Sequence, residues 1–205
     1  MADSGRTAEP QRIVGEDFSD AVLVGQEWVD REFERCDFTD ADLGLLRTRR
    51  CVFTECTFTR TDFAESRHRA SAFRSCRFDR ALLRDSTWEE CSLLGSSFVQ
   101  CRLRQWTVRE TDLTLVGMGR ADLRRADLRG IRFRESNLSE ADLRGCDLRE
   151  ADLVGARLLG TKFDEADLRG ARLDADGLAH ASFAGARVDL GTALAFAEAK
   201  GLRVE

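Results

Sequence analysis

The sequence has no tyrosine, only two histidines and a single proline, Pro10. One proline near the amino end leaves no proline-rich linker that would separate domains. No apolar run approaches the roughly 18 to 20 residues of a membrane-spanning helix, and the first residues lack the apolar core of a signal peptide. We therefore expect one domain in the cytoplasm, with no membrane contact.

The known signatures of enzymes are missing as well. The chain has no glycine-rich phosphate loop, no G-x-S-x-G turn and no H-E-x-x-H helix, which are the motifs that place catalytic groups or metals. We expect no catalytic residue, no cofactor and no bound metal. These absences favour a protein that works by binding.

A period of five residues dominates what is present. Every fifth residue from Ile13 to Val188 is large and apolar in one frame, and of its 36 positions only Thr48 and His68 are polar. Helices need apolar residues about 3.6 apart and half-buried strands need them 2 apart. A sustained period of five fits neither, so it predicts a repeat architecture.

A second column lies two residues before each large residue, and its members are nearly all small. All seven cysteines fall in this column: Cys36, Cys51, Cys56, Cys76, Cys91, Cys101 and Cys146. Their spacings are multiples of five, without the close pairs of a zinc site. We interpret them as small buried apolar residues, whereas the other three positions of each unit are polar and should face water.

The units Ala121–Arg125, Ala126–Gly130, Ala141–Gly145 and Ala166–Gly170 resemble the A(D/N)LXX consensus of the pentapeptide-repeat family. The resemblance implies an all-β fold, a right-handed quadrilateral β-helix in which four pentapeptides form one square coil. Residues 13–188 would then wind about nine coils, roughly 43 Å at about 4.8 Å per coil. Residues 1–12 are expected to be a flexible tail. Glycines at the fifth position of units, such as Gly130, should serve the corners.

Residues 189–205 read as a separate module. Asp189 or Thr192 can cap a short C-terminal α-helix near residues 190–200, and Gly201 can end it. In similar proteins of the family this module joins two rods end to end, so the resemblance implies a homodimer. We assign the interface to Leu190, Leu194, Phe196 and Leu202. Two rods would span roughly 85 Å, about 25 base pairs of duplex DNA.

With four units per coil, residues twenty apart stack, and this places Thr48 beside His68 inside the coil. A catalytic interpretation would make His68 a base, but no acid lies in register with it. We favour a hydrogen-bonded pair of buried polar groups. Leu46 beside Thr48 and Trp106 beside Val108 reverse the usual large and small positions, and each reversal should conserve core volume.

The function must come from the exterior. Outward aspartates stack in two rows on adjacent sides, and these rows could stand in for phosphates: Asp122 and Asp142 in one, Asp127, Asp147 and Asp167 in the other. Against this, an aspartate in this slot can bond to local backbone, and the arginine of each ADLR unit can neutralise it.

Several stretches, among them Ala64–Arg69 and Cys101–Arg104, resemble mycobacterial fluoroquinolone-resistance members of the family. That resemblance implies a DNA mimic that binds DNA gyrase through its B subunit ATPase region, its A subunit, or both. Such a protein would inhibit supercoiling and protect gyrase from fluoroquinolones. The alternative is a scaffold for another protein partner. Direct nucleic-acid binding through the cluster of Arg47, Arg49, Arg50, Arg67 and Arg69 is disfavoured by the acidic pI of about 5.3 and by the scarcity of exposed aromatic residues.

Overall fold

A computed structural model describes residues 11–203, apart from the side chains of 175, 176 and 178. The strands are β1 (Gln11–Val14), β2 (Glu27–Val29), β3 (Arg31–Glu34), β4 (Arg47–Arg49), β5 (Val52–Thr54), β6 (Arg67–Arg69), β7 (Ala72–Arg74), β8 (Thr87–Glu89) and β9 (Thr107–Arg109). Two helices follow, α1 (Ala175–His180) and α2 (Leu190–Ala199). Most of the predicted tail lies outside the described residues, but Gln11 and Arg12 belong to β1, where backbone pairing does not depend on side-chain polarity.

The strands form two parallel sheets on two sides of a square spiral. Their orders are β1-β3-β5-β7 and β2-β4-β6-β8-β9, and every pair joins residues twenty apart, as Phe33 joins Phe53. The other two sides are held by single β-bridges with the same offset, the last of which joins Asp167 to Arg187. The predicted quadrilateral β-helix is therefore confirmed.

Regular strands cover about five turns rather than the nine expected from the spacing, and a change in the small column coincides with the point where they stop. Each strand from β3 to β9 is followed by Cys, Ser or Thr, whose side chain donates to the carbonyl of the strand's last residue. The last of these donors is Thr111. Farther along, the column is mostly alanine, which has no donor, and the pairing continues there as single bridges.

The core is a stack of side chains along the axis. The rings of Phe18, Phe38, Phe58, Phe78 and Phe98 lie nearly parallel, with successive centroids 4.7–5.0 Å apart. This matches the spacing of paired strands, so the coil repeat and the ring stack reinforce each other. Six of the seven cysteines are buried as predicted, and Cys101 is half-buried.

Glycine is not the main corner residue. The fifth position of 24 units holds a non-glycine residue with a φ of 48–62°, for example Asp20. Such a conformation costs roughly 1 kcal/mol. The corner can hold it because the turn is closed by a backbone hydrogen bond, such as Ala21 N to Phe18 O at 3.1 Å.

Helix α1 interrupts the last coil, which the apolar frame did not predict. The frame counts Leu178 as an inward residue, but that residue lies in the helix. The unit in question has Asp176 in the position where other units bury Ala, Cys, Ser or Thr, and an inward carboxylate would be costly there. Gly177 packs so closely that an added Cβ would lie 2.8 Å from Leu158 Cδ1.

Helix α2 follows the prediction closely. Asp189 is its N-cap and accepts a hydrogen bond from Thr192 N at 2.8 Å, and Gly201 takes a φ of 81° after the last turn. The ring of Phe196 packs edge-on against Phe183, with centroids 5.8 Å apart. The helix therefore covers the apolar end of the spiral. Among the described residues, neither helix has the length and apolar character to cross a bilayer.

Candidate binding surfaces

The two predicted aspartate rows exist. Asp122 pairs with Asp142 across coils, and Asp127, Asp147 and Asp167 follow one another on the adjacent side. Neighbouring members are therefore about 4.8 Å apart along the axis. The sequence predicted this register correctly.

Each of these aspartates is bound by the arginine two residues later. Arg124 donates from Nε and Nη2 to the two carboxylate oxygens of Asp122, at 2.8 and 2.6 Å. The same fork joins Asp127 to Arg129, Asp142 to Arg144, Asp147 to Arg149 and Asp167 to Arg169. We call this set the Asp/Arg ladder.

The ladder also links successive coils, because Arg124 Nε lies 3.8 Å from Asp142 Oδ2 and Arg129 Nε lies 3.7 Å from Asp147 Oδ2. Bonding to Arg169 lowers the pKa of Asp167 to about 2. The rows keep their carboxylates ionised, but each negative charge has a positive partner. The charge of the ladder is therefore balanced, whereas a surface that mimics phosphates needs unbalanced negative charge.

A different set of aspartates has no bonded arginine partner, although Asp20 lies within electrostatic range of Arg60. Near the amino end, Asp17 pairs across coils with Asp37, and Asp42 pairs with Asp62 on the adjacent side, with Asp20 at the corner between the two sides. Within the described part of the chain, none of these five carboxylates forms an ion pair. We call them the N-terminal acidic patch.

Local hydrogen bonds hold the patch in place. Asp37 Oδ1 accepts from the backbone N of Thr39 at 2.8 Å, and Asp42 Oδ1 accepts from Gly44 N at 3.0 Å. Hydrogen bonds from the side chain and backbone of Ser19 lower the pKa of Asp17. Asp17, Asp37, Asp42 and Asp62 each accept a local bond through Oδ1, and no bond to their Oδ2 is seen in the described residues, so that oxygen remains free for a partner.

Sequence reasoning overlooked this patch, although the sequence does carry a signal for it. An aspartate of the repeat is neutralised when the residue two places later is arginine, as in the ladder. In the patch that residue is Ser19, Thr39, Gly44 or Ala64. The residue that follows the central apolar residue therefore distinguishes aspartates that are paired with an arginine from aspartates that are not.

The predicted dimer residues divide into two groups. Leu190, Leu194 and Leu202 are exposed by 76%, 37% and 63%. Phe196, by contrast, is half-buried against Phe183, with Lys200 Nζ 5.6 Å from its ring centroid. The three leucines form an apolar surface at the carboxyl end, whereas Phe196 stabilises the cap of its own chain.

His68 lies in the interior, as predicted. Its Nδ1 is 2.8 Å from Thr48 Oγ1 and its Nε2 is 3.0 Å from Ser66 Oγ, and it is 1% exposed. Burial lowers its pKa to about 3. The interpretation as a buried hydrogen-bonded group is confirmed. In the described residues, no cluster of three or more His, Cys, Asp or Glu side chains is arranged to hold a metal.

Comparison with known sequences agrees with the fold. The family model described as "Pentapeptide repeat region" matches residues 81–158, and "Pentapeptide repeats (8 copies)" matches residues 32–67. The pentapeptide repeat protein MfpA of Mycobacterium tuberculosis is 52% identical over 99 residues, 48% of this chain. That alignment spans about half (54%) of the relative's length.

Solved structures show the same architecture. Trypsin-treated QnrB1, a plasmid-mediated fluoroquinolone resistance protein, superposes with a TM-score of 0.72 and 21% identity, covering 96% of this chain and 98% of that chain. Full-length QnrB1 gives a TM-score of 0.70 and 20% identity, covering 94% and 98%. At these identities the similarity concerns the fold.

Proposed function

The chain belongs to the pentapeptide-repeat family, and on that premise we propose that it is a DNA mimic that binds DNA gyrase and inhibits supercoiling. The observation that carries the proposal is the uncompensated N-terminal acidic patch on the side of a rigid rod. The resemblance to fluoroquinolone-resistance members of the family supports gyrase as the target. Binding there would protect gyrase from fluoroquinolones in the cytoplasm.

The physical basis is a match of charge and shape. A site that holds duplex DNA attracts regularly spaced negative charges, and most of that attraction is electrostatic. The patch offers carboxylates on two adjacent sides, spaced along the axis by about 4.8 Å. Because Ser19 and Thr39 already hold Asp17 and Asp37, little ordering entropy is lost on binding. The B subunit ATPase region, the A subunit, or both would make the contact.

Neutralising the patch should weaken gyrase inhibition. The variant Asp17→Asn, Asp37→Asn, Asp42→Asn, Asp62→Asn removes four charges, while each asparagine keeps the side-chain oxygen that caps the local turn. We expect the concentration for half-inhibition of supercoiling to rise by at least about tenfold. The measurement is supercoiling of relaxed plasmid by purified gyrase and ATP.

The matched control removes four charges from the ladder instead, with Asp122, Asp127, Asp142 and Asp147 each changed to Asn. Inhibition by this control should stay within roughly threefold of the unaltered protein. If the control loses inhibition and the patch variant does not, the predicted rows are the contact surface. If the unaltered protein does not inhibit gyrase at all, the scaffold alternative replaces this proposal.

We further propose that the rod is a homodimer through its carboxyl end. Changing Leu190, Leu194 and Leu202 to Glu should give a monomer in sedimentation analysis, because charge at the centre of an apolar interface is strongly unfavourable. These side chains are exposed within one chain, so the melting temperature of the monomer should change little.

The control for the dimer places glutamate at three other exposed apolar positions, Val22, Val99 and Leu115. This variant should sediment as the unaltered protein does. A monomeric unaltered protein, or a triple-leucine variant that remains dimeric, would contradict the assignment. Phe196 is left unchanged because its ring packs within the chain.

A further inference from the structure

The spiral is open along one seam. Coil 91–110 and coil 111–130 are paired on two sides, for example by Phe98 N to Gly117 O at 2.7 Å. On the other two sides, residues 101–110 face residues 121–130. Both stretches are fully described, and no backbone hydrogen bond or β-bridge joins them.

The coils on either side of the seam are regular. At the equivalent position one coil earlier, Leu83 N donates to Arg102 O at 2.9 Å, and one coil later Leu123 N donates to Asp142 O at 2.9 Å. The missing bond is therefore that from Leu103 N to Asp122 O. The opening is a local wedge between two otherwise normal coils.

Trp106 explains the opening. It occupies the small column between Ser86 and Ala126, where its indole is far larger than its neighbours. Its side chain is 5% exposed, and its Nε1 is buried without a hydrogen-bond partner in the described structure. The expected volume compensation by Val108 is therefore wrong, because the excess volume lies at the side of the coil and holds the backbones apart.

The seam encloses room for a ligand. On one side it forms a cleft of 1260 Å³ lined by Arg102, Arg104, Trp106 and Arg125, and on the adjacent side a second opening of 390 Å³ lined by Val108. The larger cleft exceeds the range of ligand pockets for small molecules, which reach about 1000 Å³. Trp106 is one of its lining residues.

Both edges of the seam present donors as well as acceptors. In intact coils the equivalent amides donate to backbone carbonyls of the next coil. Here the amides of Leu103, Gln105 and Asp122 have no backbone acceptor in that coil or the one before it, and the carbonyls of Asp122 and Arg124 have no backbone donor across the seam. An extended peptide satisfies such mixed edges by strand addition. A polyphosphate supplies only acceptors, so it would leave the carbonyls without partners.

The charge around the cleft selects the kind of peptide. Arg102, Arg104 and Arg125 form no ion pair within the described residues, whereas Arg124 and Arg144 are engaged in the ladder. Asp164 and Glu165 also line the cleft, but its five arginines outnumber its three carboxylates, so the rim favours carboxylate side chains on an incoming strand.

We propose that the seam is a docking slot for an acidic, extended peptide segment of a partner protein, which pairs as an added strand between the two coils. The strand would bond to both backbone edges, and its carboxylates would meet Arg102, Arg104 and Arg125. Arg102 lies two coils beyond Asp62 on the same side of the spiral, through the bridges Asp62–Leu82 and Leu82–Arg102, but the slot uses other residues than the N-terminal acidic patch and does not depend on gyrase as the partner.

The test is fluorescence anisotropy with labelled peptides of about ten residues, the number in each open stretch. A peptide of alternating Glu and Val should bind, and one of alternating Lys and Val should not. The Glu-Val peptide with alternate backbone amides N-methylated keeps its charge but can pair along only one of its two edges, so it cannot bond to both coils. It should bind at least about tenfold more weakly.

Two variants assign the binding to the seam. Arg104→Glu with Arg125→Glu should weaken the Glu-Val peptide by at least about tenfold. The control Arg47→Glu with Arg67→Glu makes the same charge change where the backbones of the two coils are paired, so it should leave binding unchanged. Trp106→Ala with Val108→Leu should close the slot and abolish binding, with circular dichroism confirming that the variant is folded.

Several results would overturn the proposal. Equal binding of the N-methylated peptide, or displacement of the peptide by inorganic phosphate or duplex DNA, would make the seam a general anion site. Binding that survives in the Trp106→Ala, Val108→Leu variant would place the peptide elsewhere. Binding seen only after removal of residues 1–10 would make the chain's own amino end the occupant. No binding would leave the seam a packing feature alone.

Discussion

Acidification below about pH 6.5 should lower the free energy of unfolding because His68 is buried in its neutral form. An unfolded histidine has a pKa of about 6.5, whereas the pKa of His68 in the folded chain is about 3. As the pH falls through this window, the unfolded chain gains a proton that the folded chain does not. His68 therefore does not change the free energy of unfolding well above pH 6.5. Between about pH 6.5 and 3 it lowers the free energy of unfolding by about 1.4 kcal/mol per pH unit.

The surroundings of the ring make this effect specific. His68 contacts Thr48, Ser66 and the rings of Phe73 and Trp88, the last with centroids 4.0 Å apart. None of these groups titrates between about pH 4 and 7, and no carboxylate is among the partners of the ring. A protonated imidazole would therefore have no counter-ion inside the coil.

The measurement is urea unfolding at a series of pH values for the unaltered protein and for His68→Gln. Glutamine offers an amide to Thr48 and Ser66 but cannot be protonated in this range. Between about pH 6.5 and 4.5 the unaltered protein should lose roughly 2 kcal/mol more than the variant. The surface aspartates titrate in both proteins and cancel. Parallel profiles would contradict the assignment of a neutral buried His68.

The period of five was sufficient to predict the architecture, because every unit repeats the same choice of inward and outward residues. It placed Thr48 against His68, stacked Asp122 on Asp142 and located α2 with its cap at Asp189. These are consequences of register alone. A one-dimensional repeat with fixed register leaves little freedom in which residues meet.

The departures from prediction lie where one residue breaks the pattern of its column. Asp176 stands in a small, inward position, and the chain forms α1 there instead of a coil side. Trp106 stands in the same column, and the coils separate beside it. A frame that records only whether a position is apolar does not register the size of Trp106, so it could not predict the seam.

The candidate site was predicted only in part because charge depends on pairs of residues. Counting aspartates located the rows, but Arg124 and Arg144 compensate Asp122 and Asp142 through forks that require a particular side-chain geometry. Asp37 and Asp62 sit in the same slot without such a partner. The active surface of a uniform repeat is therefore set by its variable positions rather than by its consensus.

Closing the seam should stabilise the coil. Trp106→Ala with Val108→Leu gives the unit the pattern Ala-x-Leu found at Ala126 and Leu128. Loss of the buried indole costs about 4 kcal/mol, and the added methylene returns about 1 kcal/mol. Closure would restore six backbone hydrogen bonds between the coils, at about 1 kcal/mol each. Their sum exceeds the loss from the indole. We expect a net gain of about 3 kcal/mol in the free energy of unfolding.

Amide hydrogen exchange measures the closure directly. In the unaltered protein the amides of Leu103, Gln105 and Asp122 should exchange quickly, because they lack ladder acceptors. In the double variant their exchange should slow by on the order of a hundredfold, since each tenfold corresponds to about 1.4 kcal/mol. Trp106→Phe keeps a bulky ring in the small column and should leave exchange fast. If Trp106→Phe protects these amides as well as the double variant does, the indole is not what holds the coils apart.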